Sequence, residues 1–208
     1  KNIMIIIGIT GSIGMGKSTI ASMLKSFNIP VFDADYEVKK IIENSMLVKK
    51  EIKKKWPDVV FINKGKELVN KNKLGELIFN NIKYKANLEK IIHPLVNKKR
   101  EQFLKKYKNK KNIVAMDVPL LYETSTNEIC NYIFLALTSE KNQKHRVLKR
   151  LNMTEEKFLM IKKNQWSDKM KKSLNPCIIN TSFGKAVTFF IILFFLFNIV
   201  IKERVIKI

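Results

Sequence analysis

Four glycines fall within nine residues of the segment Gly8-Ile-Thr-Gly-Ser-Ile-Gly-Met-Gly-Lys-Ser-Thr19, at positions 8, 11, 14 and 16, directly after the apolar run Ile-Met-Ile-Ile-Ile. The string Gly11-Ser12-Ile13-Gly14-Met15-Gly16-Lys17-Ser18 fits G-x-x-x-x-G-K-[ST] without a gap. A loop of this kind turns successive backbone N–H groups into one concavity that fits a phosphate. Glycine tolerates the positive φ angles required and removes the Cβ that would keep the anion out. A helix should follow, and its N-terminal N–H groups also favour an anion. Context supports that order. Ile3–Ile9 is a β-branched run suited to a buried parallel strand, and Ile20, Met23, Leu24 and Phe27 recur at helical spacing beyond the loop. Gly11, Gly14, Met15, Gly16, Lys17, Ser18 and Thr19 are therefore the candidate phosphate-binding residues of a nucleotide. Lys17 is expected to reach the β- and γ-phosphates and the Ser18 hydroxyl to ligate Mg²⁺.

Strand and helix signals alternate beyond the loop. Ile29–Ile42 reads as a loop, a short strand and a helix, with Asp33 and Asp35 at the carboxyl end of the strand, where open α/β sheets bind ligands. The alternative for either acid is a helix N-cap, so one can cap while the other does chemistry. Residues 45–107 lack a parallel-strand signal and read as an inserted helical subdomain, with a turn at Lys64-Gly65 and a helix break or kink at His93-Pro94. Residues 112–123 return to the strand pattern, and Asp117 ends that apolar run as a candidate for positioning Mg²⁺ or substrate. Tyr132–Thr138 and Pro176–Asn180 read as further strands. Alternation of this kind implies a parallel sheet with helical crossovers.

The formal net charge of +22 invites a nucleic-acid reading. The lysines, however, are spread along the chain and do not interleave with aromatic residues as a base-stacking platform would, so no specific nucleic acid is expected as a partner. The charge should instead attract anionic nucleotides. Arginine is rare, at positions 100, 146, 150 and 204. Arg146 and Arg150 lie four apart in a helical-looking stretch, and on one helix face they could close on a phosphate chain with planar guanidinium forks; an ordinary exposed helix face is the alternative. The two cysteines, Cys130 and Cys177, form no C-x-x-C pair and no zinc spacing. They read as reduced thiols in a reducing compartment. No secretory signal is read at the N-terminus, where the apolar run leads directly into the loop; the chain opens on Lys1, and Met4 is a candidate initiator.

Taken in order, five segments resemble the dephospho-CoA kinase family: the phosphate loop; Asp33-Ala-Asp35; Lys73–Asn81 with Leu88–Val96, including His93-Pro94; Met116–Glu123; and the lid-like Gln143–Phe158, with Gln165 beyond it. The resemblance covers residues 3–184. It implies an α/β fold of the P-loop nucleoside-triphosphate-hydrolase type, in three layers, with a parallel sheet of about five strands. It implies a core of 3–42, 112–138 and 176–184, a CoA subdomain at 45–107 and a lid at 139–168. It further implies transfer of the ATP γ-phosphoryl group to the ribose 3′-hydroxyl of dephospho-CoA in the cytoplasm, the last step of coenzyme A synthesis. On that reading Asp35 accepts the hydroxyl proton, Asp33 supports it, Lys17 neutralises charge, Arg146 and Arg150 clamp phosphates, and His93 lines the dephospho-CoA site. Ser18 serves Mg²⁺, and Asp117 helps to position Mg²⁺ or the acceptor. Two positions depart from the family: Ser12 replaces a usual glycine and Ile179 a frequent Asp. A GTPase reading fails for want of N-K-x-D and D-x-x-G motifs. A nucleoside kinase with another acceptor and a binding-only basic protein are the remaining rivals.

The end of the chain breaks the pattern. Residues 186–201 run without a charge between Lys185 and Lys202, in place of the family's polar final helix. Their length falls just short of the about 17–25 residues that usually span a bilayer. Three readings stay open: a membrane anchor or contact with basic flanks, a final core helix, and translated non-coding sequence.

Overall fold

The computed structural model describes residues 4–205. Ile3, the expected start of the first strand, lies outside the described residues. In chain order the elements are β1 (Ile5–Thr10), α1 (Lys17–Ser26), β2 (Val31–Asp33), α2 (Ala34–Asn44), α3 (Met46–Lys55), β3 (Val60–Asn63), β4 (Lys66–Val69), α4 (Lys71–Asn80), α5 (Ile82–Tyr107), β5 (Ile113–Asp117), β6 (Tyr132–Leu137), α6 (Glu140–Leu148), α7 (Glu155–Lys163), α8 (Asp168–Ser173), β7 (Cys177–Asn180) and α9 (Gly184–Val205).

Five strands form one parallel sheet in the order β2-β5-β1-β6-β7. The central strand is the Ile-rich run before the glycine loop; Ile7 and Ile9 on one face and Gly8 and Thr10 on the other are all buried, as a strand covered on both faces requires. Register then aligns the functional ends. Ile9 of β1 pairs with Asp117 of β5, and Thr10 of β1 pairs with Leu135 of β6. The Val118 N–H donates to the Ile9 carbonyl (3.1 Å), and the Thr181 N–H donates to the Leu137 carbonyl (2.8 Å). The segments leaving β5, β6 and β7 therefore emerge beside the loop that leaves β1. The core under the sheet joins Ile7, Ile9 and Phe134 to Ile20 and Leu24 of α1 and to Ile192, Leu196 and Ile199 of α9.

The chain divides into two compact units, one of Lys1–Phe32 with Tyr107–Ile208 and one of Asp33–Lys106. The second has its own apolar core, built from Val48, Ile52, Trp56, Leu74, Leu88 and Ile92 among others. Helix α2, expected with the sheet core, groups with this second unit. The unit also differs from an all-helical insertion. Strands β3 and β4 form an antiparallel hairpin with Val60 opposite Val69 and Asn63 opposite Lys66. Its two-residue turn is Lys64-Gly65, both at positive φ (48° and 73°), which suits a tight hairpin between twisted strands. Helix α5 runs unbroken through Pro94, so His93-Pro94 does not begin a new helix. The missing proline N–H leaves one intrahelical bond unmade within an otherwise long helix.

Candidate active site

The loop between β1 and α1 carries the residues the sequence singles out. Gly16 stands at the N-cap of α1 with φ 95°, a left-handed conformation that side chains rarely adopt. Gly14 has φ 80°, and a Cβ there would lie 2.5 Å from Val147 Cγ2. Any side chain at Gly14 would push α6 off the loop. At Gly11 a Cβ would come within 2.7 Å of the Ala136 carbonyl oxygen on β6. The three glycines thus permit both the curvature of the loop and its close approach to the neighbouring elements.

Lys17 is the first residue of α1, and its Nζ lies 3.8 Å from Asp117 Oδ1 at the end of β5. Both side chains are largely buried. The sheet register therefore brings together the loop lysine and the strand-end carboxylate, two groups separated by a hundred positions in sequence. Ser18 is exposed in the first turn of α1, a turn with no acidic residue. Among the described residues no cluster of three or more His, Cys, Asp or Glu side chains is placed to hold a metal. One hydroxyl and one carboxylate are the donors at hand, a set that suits Mg²⁺ only together with phosphate oxygens and water.

The far side of the loop is braced by residues from the C-terminal third of the chain. Gln143 Nε2 donates to the Ile13 carbonyl (2.7 Å), and Gln165 Oε1 accepts from the Ile13 N–H (3.0 Å). The Thr181 hydroxyl donates to the Met15 carbonyl (2.8 Å). The same threonine receives both terminal nitrogens of Arg146, at 2.8 Å to Oγ1 and 2.7 Å to the carbonyl. Two of the five guanidinium N–H groups are thereby used in fixing Arg146 beside the loop. Arg150 does not share its helix face. Helix α6 ends at Leu148, and Arg150 lies in the following turn, its N–H donating to the Val147 carbonyl (3.0 Å). The i, i+4 pairing expected of the two arginines is thus corrected: the turn and the N-cap of α7 at Thr154 leave no helix for Arg150 to occupy.

Behind Ser12 lies a buried ionic cluster that sequence reasoning missed. Ser12 Oγ donates to Asp168 Oδ1 (2.8 Å), and Lys171 Nζ lies 3.4 Å from Ser12 Oγ and 3.9 Å from Glu123 Oε1. Lys171 is fully buried. Burial pulls its ammonium below the usual lysine range, the Glu123 and Asp168 carboxylates pull it back up, and Lys17 adds to the lowering. Glu123 also accepts from the Trp166 N–H (2.8 Å), while Trp166 stacks on Tyr122 at 5.9 Å. The position where the family usually has glycine is therefore a serine that ties the loop to α8.

Three further candidates stand on the second unit. Asp33 Oδ1 accepts from the Tyr36 N–H (2.9 Å) and caps α2. Asp35 is exposed in the first turn of α2, and His93 is exposed on α5.

A glycine loop at the carboxyl end of the central strand of a parallel sheet, with its lysine at the first turn of the next helix and a strand-end acid beside it, defines a P-loop phosphotransferase. The particular family follows from comparison: the dephospho-CoA kinase family model matches residues 5–185, and the chain belongs to that family. A dephospho-CoA kinase of Bartonella henselae is 38% identical over 179 residues, covering 86% of this chain and 89% of the relative. The crystal structure of a Thermus thermophilus protein superposes with a TM-score of 0.81 at 26% identity, covering 94% of this chain and 97% of that one. The dephospho-CoA kinase of Campylobacter jejuni shares the fold, with a TM-score of 0.63 at 20% identity over 93% of this chain and 96% of that one.

Proposed function

We propose that this chain transfers the γ-phosphoryl group of ATP to the ribose 3′-hydroxyl of dephospho-CoA, giving coenzyme A and ADP in the cytoplasm. The observation that carries the reading is the Lys17–Asp117 approach at 3.8 Å beside a loop whose glycines hold it curved and close against its neighbours. Phosphoryl transfer asks mainly for positioning and charge neutralisation, with little covalent chemistry from the protein. The backbone of Gly11–Thr19 binds the triphosphate, and Lys17 neutralises the charge that develops on it. Ser18 and Asp117 would hold Mg²⁺ brought in with the triphosphate, which would supply further charge neutralisation. Arg146, already oriented by Thr181, offers its remaining N–H groups to phosphate oxygens, and Arg150 adds a second cation from the turn after α6. The residues of 139–168 act as the lid.

On the acceptor side the family's Asp-x-Asp segment assigns the roles. Asp33 caps α2, in keeping with a supporting role, and Asp35, the second acid of the pair, accepts the proton of the 3′-hydroxyl. A carboxylate suffices for that task. His93 and the helices of the second unit take the dephospho-CoA.

The test is ADP release by the full chain with ATP and Mg²⁺, offered dephospho-CoA, adenosine, AMP or no acceptor. Turnover with dephospho-CoA alone is expected. Turnover with another acceptor would keep the fold and overturn the substrate. A folded chain that binds ATP but is silent with every acceptor would favour a binding-only protein.

A further inference from the structure

Helix α9 is apolar on both of its faces, and the structure accounts for only one of them. Thr188, Ile192, Leu196 and Ile199 are buried against the sheet and α1. Phe189 stacks on Phe27 with ring centroids 5.0 Å apart, and Phe195 meets Phe134 at 5.9 Å. The opposite face carries Val187, Phe190, Phe194, Phe197 and Ile201, spaced three and four apart, and all five are exposed. The three phenylalanines are 61–66% exposed. A helix that merely covers a soluble core turns polar side chains outward, and a continuous exposed apolar stripe marks an interaction surface.

The charges around the stripe identify what it meets. Lys185 and Lys202, both exposed, bracket the apolar run in sequence with no charged residue between them; the Lys202 ammonium stands 5.9 Å over the Tyr132 ring, and the neighbouring Glu203 is engaged by the Tyr132 hydroxyl (3.0 Å). Leu193, Phe197 and Val200 also line a groove shared with Phe27 and Ile29, and Lys111 stands in that groove as its charged member. The surface is therefore apolar in the middle with more cations than acids beside it, on a chain whose net charge is +22. Two copies meeting through this face would bring like charges together. An anionic lipid surface satisfies both halves of the pattern, with phenylalanines entering the acyl boundary and lysines reaching the headgroups.

We propose that the outer face of α9 docks the protein on an anionic membrane, with the helix lying in the plane of the interface. By length and composition Gly184–Glu203 is apolar enough to cross a bilayer. Its inner face, however, is part of the sheet core, and spanning would require pulling Ile192, Leu196 and Ile199 out of that core. In-plane docking keeps the fold and covers only what is exposed.

The test is flotation of the full chain with vesicles of phosphatidylcholine alone or with phosphatidylglycerol added. Binding to the mixed vesicles is expected, at least tenfold tighter than to phosphatidylcholine and weakened by 0.5 M salt. The triple variant Phe190→Gln, Phe194→Gln, Phe197→Gln should lose at least tenfold in binding while ADP release and thermal melting stay unchanged. A triple variant that still binds mixed vesicles as tightly as wild type would leave only the diffuse lysine charge and overturn the role of α9. Phe194→Trp gives a second measurement that does not depend on the triple variant. Its fluorescence should be quenched by lipids brominated near the headgroup. Quenching strongest at the bilayer centre, with carbonate-resistant binding, would replace docking by spanning. A monodisperse wild type that ignores all vesicles, or a lipid-free dimer abolished by the glutamine variants, would also overturn the proposal.

Discussion

Lysines at positions 17 and 171 lie on the two sides of one loop, and their burial sets different expectations for each. Lys17 is partly accessible and faces the strand-end acid, so Lys17→Ala should lower kcat/KM for ATP by about a thousandfold, the scale of a lost electrostatic contact to the transition state. Its melting temperature should hardly change. Lys171 is fully buried between Glu123 and Asp168, and Lys171→Met would leave two carboxylates without their buried cation. Breaking such a cluster costs about 3 kcal/mol, or about 6–12 °C in a chain of this size, readable by calorimetry. Asp35→Asn should reduce kcat by about a thousandfold with KM for ATP unchanged, as removal of a general base does. Near-normal turnover in that variant would remove Asp35 from the role of base. The glycine loop was legible because each of its residues is constrained by backbone geometry. Lys171 was not, because nothing local distinguishes it from the many lysines around it; Ser12 and Glu123, which it meets in the fold, lie far off in sequence.

At the level of elements, the strands of the sheet were legible as apolar β-branched runs, and the last of them carries a pH dependence. Burial pushes the Cys177 thiol of β7 above the 9.0 of a free thiol, and Lys202 opposes this only in part. The folded chain therefore holds that proton to higher pH than the unfolded chain. The resulting stability is complete below pH 9.0 and is lost as pH rises through the folded value. Melting curves from pH 8 to 10 should fall less steeply for Cys177→Ala than for the wild type. Other elements were misread for specific reasons. The β3–β4 hairpin has only four residues in each strand, too few for alternation to show, although Val60, Phe61 and Ile62 individually favour a strand. The end of α6 was overrun because lysine and arginine continue past Leu148 with good helix propensity. The helix gives way to a turn at Lys149 and Arg150, and Asn152 at φ 58° with the Thr154 cap of α7 keeps it from resuming. That stop is what separates Arg146 from Arg150.

For the whole molecule, the charge of +22 acts as a field around a site that binds a polyanion. Raising ionic strength from 50 to 500 mM should increase KM for ATP several-fold and leave kcat within about a factor of two, because screening weakens attraction between exposed charges more than contacts inside a buried site. The sequence by itself determined the phosphate loop, the alternation that makes a parallel sheet, the family and the excess of cations, since each is written in local spacing or composition. Only the tertiary structure decided that Asp117 meets Lys17, that Lys171 is buried, that Arg146 is held by Thr181, and which half of α9 enters the core. The physical reason is common to all four. Contacts between strands and helices distant in sequence depend on sheet register and packing, and a helix apolar on every face carries no periodic signal to choose its buried side.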